Sequence, residues 1–76
     1  MFNLKLKKDI YFDDGAPYTR ARAFENFSGW VLHVSDGKGY QLWLAEQTLD
    51  KILELVILPE YQIIQDDLGI SHLFPN

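Results

Sequence analysis

A nucleophilic side chain needs a base within hydrogen-bond reach and a third group to orient that base. The serines of this chain are Ser28, Ser35 and Ser71, and its histidines are His33 and His72. Ser71 and His72 are neighbours, and neighbouring side chains in a strand point to opposite faces. His33 and Ser35 are two apart in a run that reads as a strand, so they stand parallel rather than converging. The chain is therefore expected to be no enzyme. Metal chemistry fares no better, because two isolated histidines without cysteine form no site by spacing. Asp13-Asp14 and Asp66-Asp67 could attract a hard cation, but they lack the convergent oxygens that calcium takes and read as solvated turn carboxylates. Asp36-Gly37-Lys38-Gly39 reads as a hairpin tip and not as a phosphate loop. No metal and no cofactor are expected.

Binding is more promising than catalysis. Lys5, Lys7, Lys8, Arg20 and Arg22, with Tyr11 and Tyr18 nearby, form a basic set interleaved with aromatics, the pattern of a nucleic-acid surface. A sequence pI near 4.8 opposes that reading, since such domains carry a positive excess. Lys and Arg on sheet edges also serve simply to discourage aggregation. A second constellation is Val31, His33, Gln41 and Trp43, which share one face of a hairpin. Tryptophan there suits a protein contact, because it buries a large area with few torsions to freeze. Tail strands or a second layer within the monomer could equally cover Trp43. The acids Glu46, Asp50, Glu54, Glu60, Asp66 and Asp67 form a third set, able to compete for a partner's basic surface.

The elements that must position these residues follow from periodicity. Residues 2–12 alternate, with Phe2, Leu4, Leu6, Ile10 and Phe12 on one face and Asn3, Lys5, Lys7, Asp9 and Tyr11 on the other. This predicts a strand, with a bulge or strand end near Lys8. Asp13-Asp14-Gly15-Ala16-Pro17 should reverse the chain. Residues 18–25 alternate again, placing Arg20 and Arg22 on one face and Ala21 and Ala23 on the other. A hairpin of these two strands would bring Lys5, Lys7, Arg20 and Arg22 to one side.

Residues 30–35 and 40–45 flank Asp36-Gly37-Lys38-Gly39, a hairpin signal. A loop of odd length puts Trp30, Leu32 and Val34 on the face of Tyr40, Leu42 and Leu44, and a one-residue slip would lose that joint burial. The same choice sends Val31, His33, Gln41 and Trp43 to the opposite face. Thr48 is a good N-cap for a helix from Leu49 to about Leu58, stopped by Pro59. Leu49, Ile52, Leu53 and Val56 should face the sheet, while Leu55, Ile57 and Leu58 require a further cover, from the tail or another chain. Residues 61–65 and 70–74 read as two short strands around Asp66–Gly69, in preference to a second helix, because two aspartates would oppose that helix's dipole at its C-terminus.

Composition bounds the rest. With 76 residues, 47% hydrophobic and 24% charged, the chain is expected to be one globular domain, residues 1–76. Without cysteine, disulfides cannot support a small core, so packing or a partner must. The alternating N-terminus is unlike a signal peptide's apolar core, and no apolar run approaches a membrane span, so a cytoplasmic chain without membrane attachment is expected. Residues 1–22 hold five of the seven basic residues and only three of the eleven acids, which predicts two distinct surfaces.

The expected fold is α+β, a mainly antiparallel sheet of four or more strands with one amphipathic helix packed on it. The expected function is that of a non-enzymatic protein-binding module acting by surface occlusion. Compact acidic chains of this kind serve as inhibitors, adaptors or immunity proteins, phage-encoded anti-defence proteins among them. Two alternatives stand beside it: a small nucleic-acid-binding domain using the Lys/Arg face, and a homodimeric structural subunit.

Overall fold

The computed structural model describes residues 3–76, apart from the side chains of Glu46 and Gln47. Five strands, β1 (Arg20–Asn26), β2 (Gly29–Ser35), β3 (Gln41–Gln47), β4 (Tyr61–Gln65) and β5 (Ser71–Pro75), and one helix, α1 (Leu49–Leu55), follow one another with α1 between β3 and β4. The strands form a single antiparallel sheet in the order β3-β2-β1-β5-β4. The α+β expectation holds. Strands β1 to β3 are a meander, α1 crosses the sheet, and the β4–β5 hairpin returns to add β5 beside β1.

Local chemistry explains the turns. Ser35 pairs with Gln41 and the Asp36 amide donates to the Tyr40 carbonyl at 3.3 Å, leaving Gly37-Lys38-Gly39 as the odd-length tip. Gly37 has φ +76°, and a β-carbon there would also sit 3.1 Å from Thr19 Oγ1, so both backbone and space call for glycine. Asp36 Oδ1 accepts from the Lys38 and Tyr40 amides at 2.7 and 3.2 Å. Burial pushes the Asp36 carboxyl up, but those two amides, helped by the Lys38 charge, contribute to holding it below its ordinary value. In the second hairpin Asp66 Oδ1 accepts from the Leu68 and Ile70 amides, and Gly69 takes φ +81°.

The core lies on one face of the sheet. Ala21, Ala23, Leu32 and Val34 supply its floor, and Leu4, Leu6, Ile52, Val56 and Leu73 pack on them. Register agrees, with Ala21 opposite Val34, Ala23 opposite Leu32, and Leu32 and Val34 opposite Leu44 and Leu42. Of the six apolar groups expected to bury together, Trp30, Leu32 and Val34 are buried, Leu44 is half-buried, and Tyr40 and Leu42 stay exposed. The reason is position: β3 is the sheet edge, and Tyr40 and Leu42 lie toward its hairpin end, away from the α1 end where Leu44 is partly covered. A bulge in β3 between Leu44, opposite Leu32, and Gln47, opposite Trp30, shifts the register by one residue before pairing resumes at Gln47, just ahead of the helix.

Two further expectations need correction. The N-terminal segment is no strand, although Leu4 and Leu6 are buried and Asn3, Lys5 and Lys7 exposed as alternation requires. Its backbone bonds are divided between two neighbours: the Leu4 amide donates to Ala21 O at 2.7 Å, the Ile57 amide to Lys5 O at 2.7 Å, and the Lys7 amide to Leu55 O at 3.0 Å. What remains of ladder pairing is two single bridges, Leu6 with Val56 and Tyr11 with Pro17. Phe2, assigned to the apolar face, lies outside the described residues. Helix α1 ends at Leu55, earlier than expected, because Val56 turns extended to pair with Leu6. Thr48 does cap it, its Oγ1 accepting from the Lys51 amide at 3.3 Å. Ile52 and Val56 are buried, and Leu49 and Leu53 half-buried, as the helical face predicted. The extra apolar residues are only partly covered, Ile57 remaining 49% exposed.

Among the described residues no helix is long and apolar enough to cross a membrane. Ile52 is fully buried at the centre of the core, so Ile52→Ala should lower unfolding free energy by about 2–5 kcal/mol. Urea denaturation followed by tryptophan fluorescence reads that loss.

Candidate functional site

The sheet has a second face, and none of the described elements packs on it. The tail does not cover Trp43; it widens the sheet instead. Alternation and register place Trp43, His33 and Arg22 in one cross-strand row, and Val31, Phe24, His72 and Ile64 in the next. Trp43 is 52% exposed. It is nevertheless held: its ring lies 3.9 Å from that of His33 at 32°, and Phe24 meets it edge-on at 6.3 Å. Phe24 continues to His72 at 6.0 Å, and His72 to Phe74 at 6.3 Å. The Arg22 guanidinium sits 5.8 Å from the centre of the Phe24 ring, within cation–π range. The result is a band of aromatic rings running from β3 to β5.

Both histidines are oriented by partners. His33 Nε2 donates to Gln41 Oε1 at 2.8 Å. His72 Nε2 lies 2.8 Å from Asp66 Oδ2. That bond is the main reason the Asp66 carboxyl is held below its ordinary value, with the Ile70 amide next, burial opposing and the Leu68 amide adding to it. Ser35 Oγ accepts from the Gly37 amide at 3.0 Å rather than facing His33.

Between β1 and β5 the sheet forks. The two strands pair only at Phe24–His72 and Glu25–Ser71. Beyond that point Asn3 and Leu4 enter the gap, Leu4 bonding to Ala21 and Asn3 Nδ2 donating to Thr19 O at 3.2 Å. The fork leaves a cavity of about 480 Å³ on the open face, lined among others by Arg20, Arg22, His33, Gln41, His72 and Phe74.

The residues singled out from sequence are distributed unevenly over this geometry. Trp43, His33 and Gln41 stand together as expected; Val31 shares their face but is buried. The basic set is split, because the N-terminal segment does not pair with β1 along its length. Arg20 and Arg22 line the open-face cavity, Lys5 lies beside Ile57 to Glu60 and Pro75, and Lys7 and Lys8 line a groove with Leu44, Glu54 and Leu55. The acids are split too. Asp50 and Glu54 are exposed on α1, on the covered side of the sheet, while Glu60 precedes β4 and Asp66 and Asp67 sit in the β4–β5 turn. The Glu46 side chain lies outside the described residues. Lys51 and Glu54 make a 3.9 Å ion pair in open solvent, which contributes little.

Phe24, His72 and Phe74 were not named as site residues from sequence. Phe24 was within reach, since it continues the Arg20–Arg22 alternation. His72 and Phe74 were not, because nothing local announces that β5 pairs with β1.

Compared with protein-family models, with curated proteins and with solved structures, the chain matches none of them. Among the described residues no three His, Asp or Glu side chains are grouped so as to hold a metal ion. Any functional reading therefore rests on the geometry of the open face.

A depressed carboxyl stabilises the fold above its unfolded pKa, and that contribution disappears as pH falls through the lower folded value. Thermal midpoints should accordingly fall below about pH 4. Asp66→Asn, which keeps an acceptor for the turn amides, should show a smaller drop between pH 7 and pH 3 than the parent chain, measured by circular dichroism.

Proposed function

We propose that this chain is a non-enzymatic protein-binding module that acts by occluding a partner's surface, in the manner of an inhibitor, adaptor or immunity protein, and that its contact surface is the open face of the sheet. The observation that carries the reading is Trp43, half-exposed yet braced by His33 and Phe24. A large ring fixed before binding loses little entropy when a partner covers it, and Trp with Arg is the typical composition of an energetic centre in an interface. The bonds made by His33 to Gln41 and by Ser35 to Gly37 support a recognition role over a nucleophilic one. The lack of cysteine suits action in a reducing cytoplasm.

One observation favours a second reading. Arg20 and Arg22 share the aromatic face, and aromatic rings with arginines can stack the bases and hold the phosphates of a single strand. The two readings separate in one experiment. Tagged protein used to capture partners from lysate should retain a specific protein after nuclease treatment. Trp43→Ala should cost about 2 kcal/mol or more, roughly thirtyfold in affinity, with circular dichroism and thermal midpoint unchanged. A signal abolished by nuclease would favour the single-strand reading, and unchanged capture by the Trp43→Ala variant would sink the use of this face.

A further inference from the structure

The two arginines on the open face carry a requirement that the aromatic band does not. Arg20 and Arg22 are both exposed, and neither forms an ion pair among the described residues, where the salt bridges are Lys51–Glu54 and His72–Asp66. They are two apart on one strand face, about 7 Å along the chain, and both line the cavity at the β1–β5 fork. No acidic side chain lines that cavity. Around the guanidinium groups stand further polar groups, Asn3, Ser35 and Gln41, the rings of His33 and His72, and the apolar wall of Phe74. Ring orientation at both histidines is set by Gln41 and Asp66. A site with unpaired cations, few competing anions and apolar walls strengthens a charge-assisted hydrogen bond relative to open water.

We infer that the cavity at the β1–β5 fork is a carboxylate-binding subsite, which takes an Asp or Glu side chain from an acidic, extended segment of a partner protein while an adjacent apolar side chain of that segment rests on Trp43. The inference rests on the protein-binding reading above and supplies the chemistry of the partner. Guanidinium forks match a carboxylate in a bidentate manner, and a volume of about 480 Å³ accommodates one or two side chains. A nucleic-acid strand fits the charge distribution less well. It carries a phosphate at every residue, and beyond the arginines it would run onto Asp66 and Asp67 in the β4–β5 turn, where Asp66 already bonds His72 of this face. On a chain of net charge −4, a polyanion meets growing repulsion where a single carboxylate does not.

The test uses the whole chain and two probes, a short fluorescent peptide alternating Asp and Leu, and a single-stranded oligothymidine, each titrated by anisotropy. The peptide should bind, its Asn-Leu counterpart should not, and Arg20→Gln with Arg22→Gln should weaken binding at least about tenfold. Both substitutions are on exposed side chains, so a retained circular dichroism spectrum and thermal midpoint assign the loss to the site. Three results would overturn the subsite: undiminished peptide binding by the double variant, no peptide binding at all, or arginine-dependent binding of oligothymidine in place of the peptide. The protein-binding reading stands or falls separately, on Trp43-dependent, nuclease-resistant capture. Capture that needs Trp43 but survives loss of both arginines would keep that reading and discard the carboxylate subsite.

Discussion

The packing of Ile52 and Val56 with Leu4 and Leu6 over Ala21 and Ala23 is the contact on which the rest of this molecule depends. A chain this small has one seven-residue helix and can roof one side of its sheet only. Two alanines at the centre of that sheet let the N-terminal segment approach closely, while the helix packs beside it on β2 and β3. Each large aliphatic group buried there contributes about 1.5–3 kcal/mol, in a protein with no disulfide to constrain the unfolded chain. The carbonyl of Ala21 also anchors the N-terminal segment directly, through the Leu4 amide.

One-sided packing has a consequence on the opposite face. Because the tail hairpin adds strands instead of folding over, the sheet grows to five strands and exposes a broad surface. Ordinarily such a face would be made polar. Here it carries Trp43, Phe24, Phe74 and Ile64 among arginines, histidines and glutamines, and the rings are locked in place by one another. Rigid amphipathic rings beside arginine are what a contact surface needs and what a merely solvated sheet does not. The fork between β1 and β5 adds depth to a surface that would otherwise be flat.

Charge is segregated along with packing. Lys5, Lys7 and Lys8 lie on the side of the core, beside the exit of the helix and the start of β4, so the basic character of the first third of the chain is shared between two surfaces. The aspartates gather in turns, where Asp36 and Asp66 accept backbone amides and hold the two hairpins shut. Asp36 is itself buried, whereas Asp66 stands at one end of the open face, bonded to His72, and bounds its positive charge on that side. A carboxylate that stabilises a turn thereby also shapes what the face can bind.

Much of this was legible in the residue order, because local chemistry governs it. The period of two in residues 20–25, 30–35 and 40–45 fixed which side chains share a face, the Asp36-Gly37-Lys38-Gly39 run announced the hairpin tip, and the joint burial of the flanking apolar residues set its odd length. Thr48 announced the start of the helix, but its end at Leu55 came earlier than Pro59 implied because Val56 pairs with Leu6, and the Asp66–Gly69 turn announced the last hairpin. The pairing of β5 with β1 left no local trace, since antiparallel edges carry no sequence label for a partner some fifty residues away. That pairing brought His72 and Phe74 to Phe24, left Ala21 free to bond Leu4, and thereby turned a clear alternation in residues 2–12 into a strap rather than a strand. Alternation reports which side chains are buried, and in that it was right for Leu4 and Leu6. It does not report where backbone amides find their partners, and that choice belongs to the assembled sheet, where competing edges are filled by whichever long-range contact buries the most apolar surface.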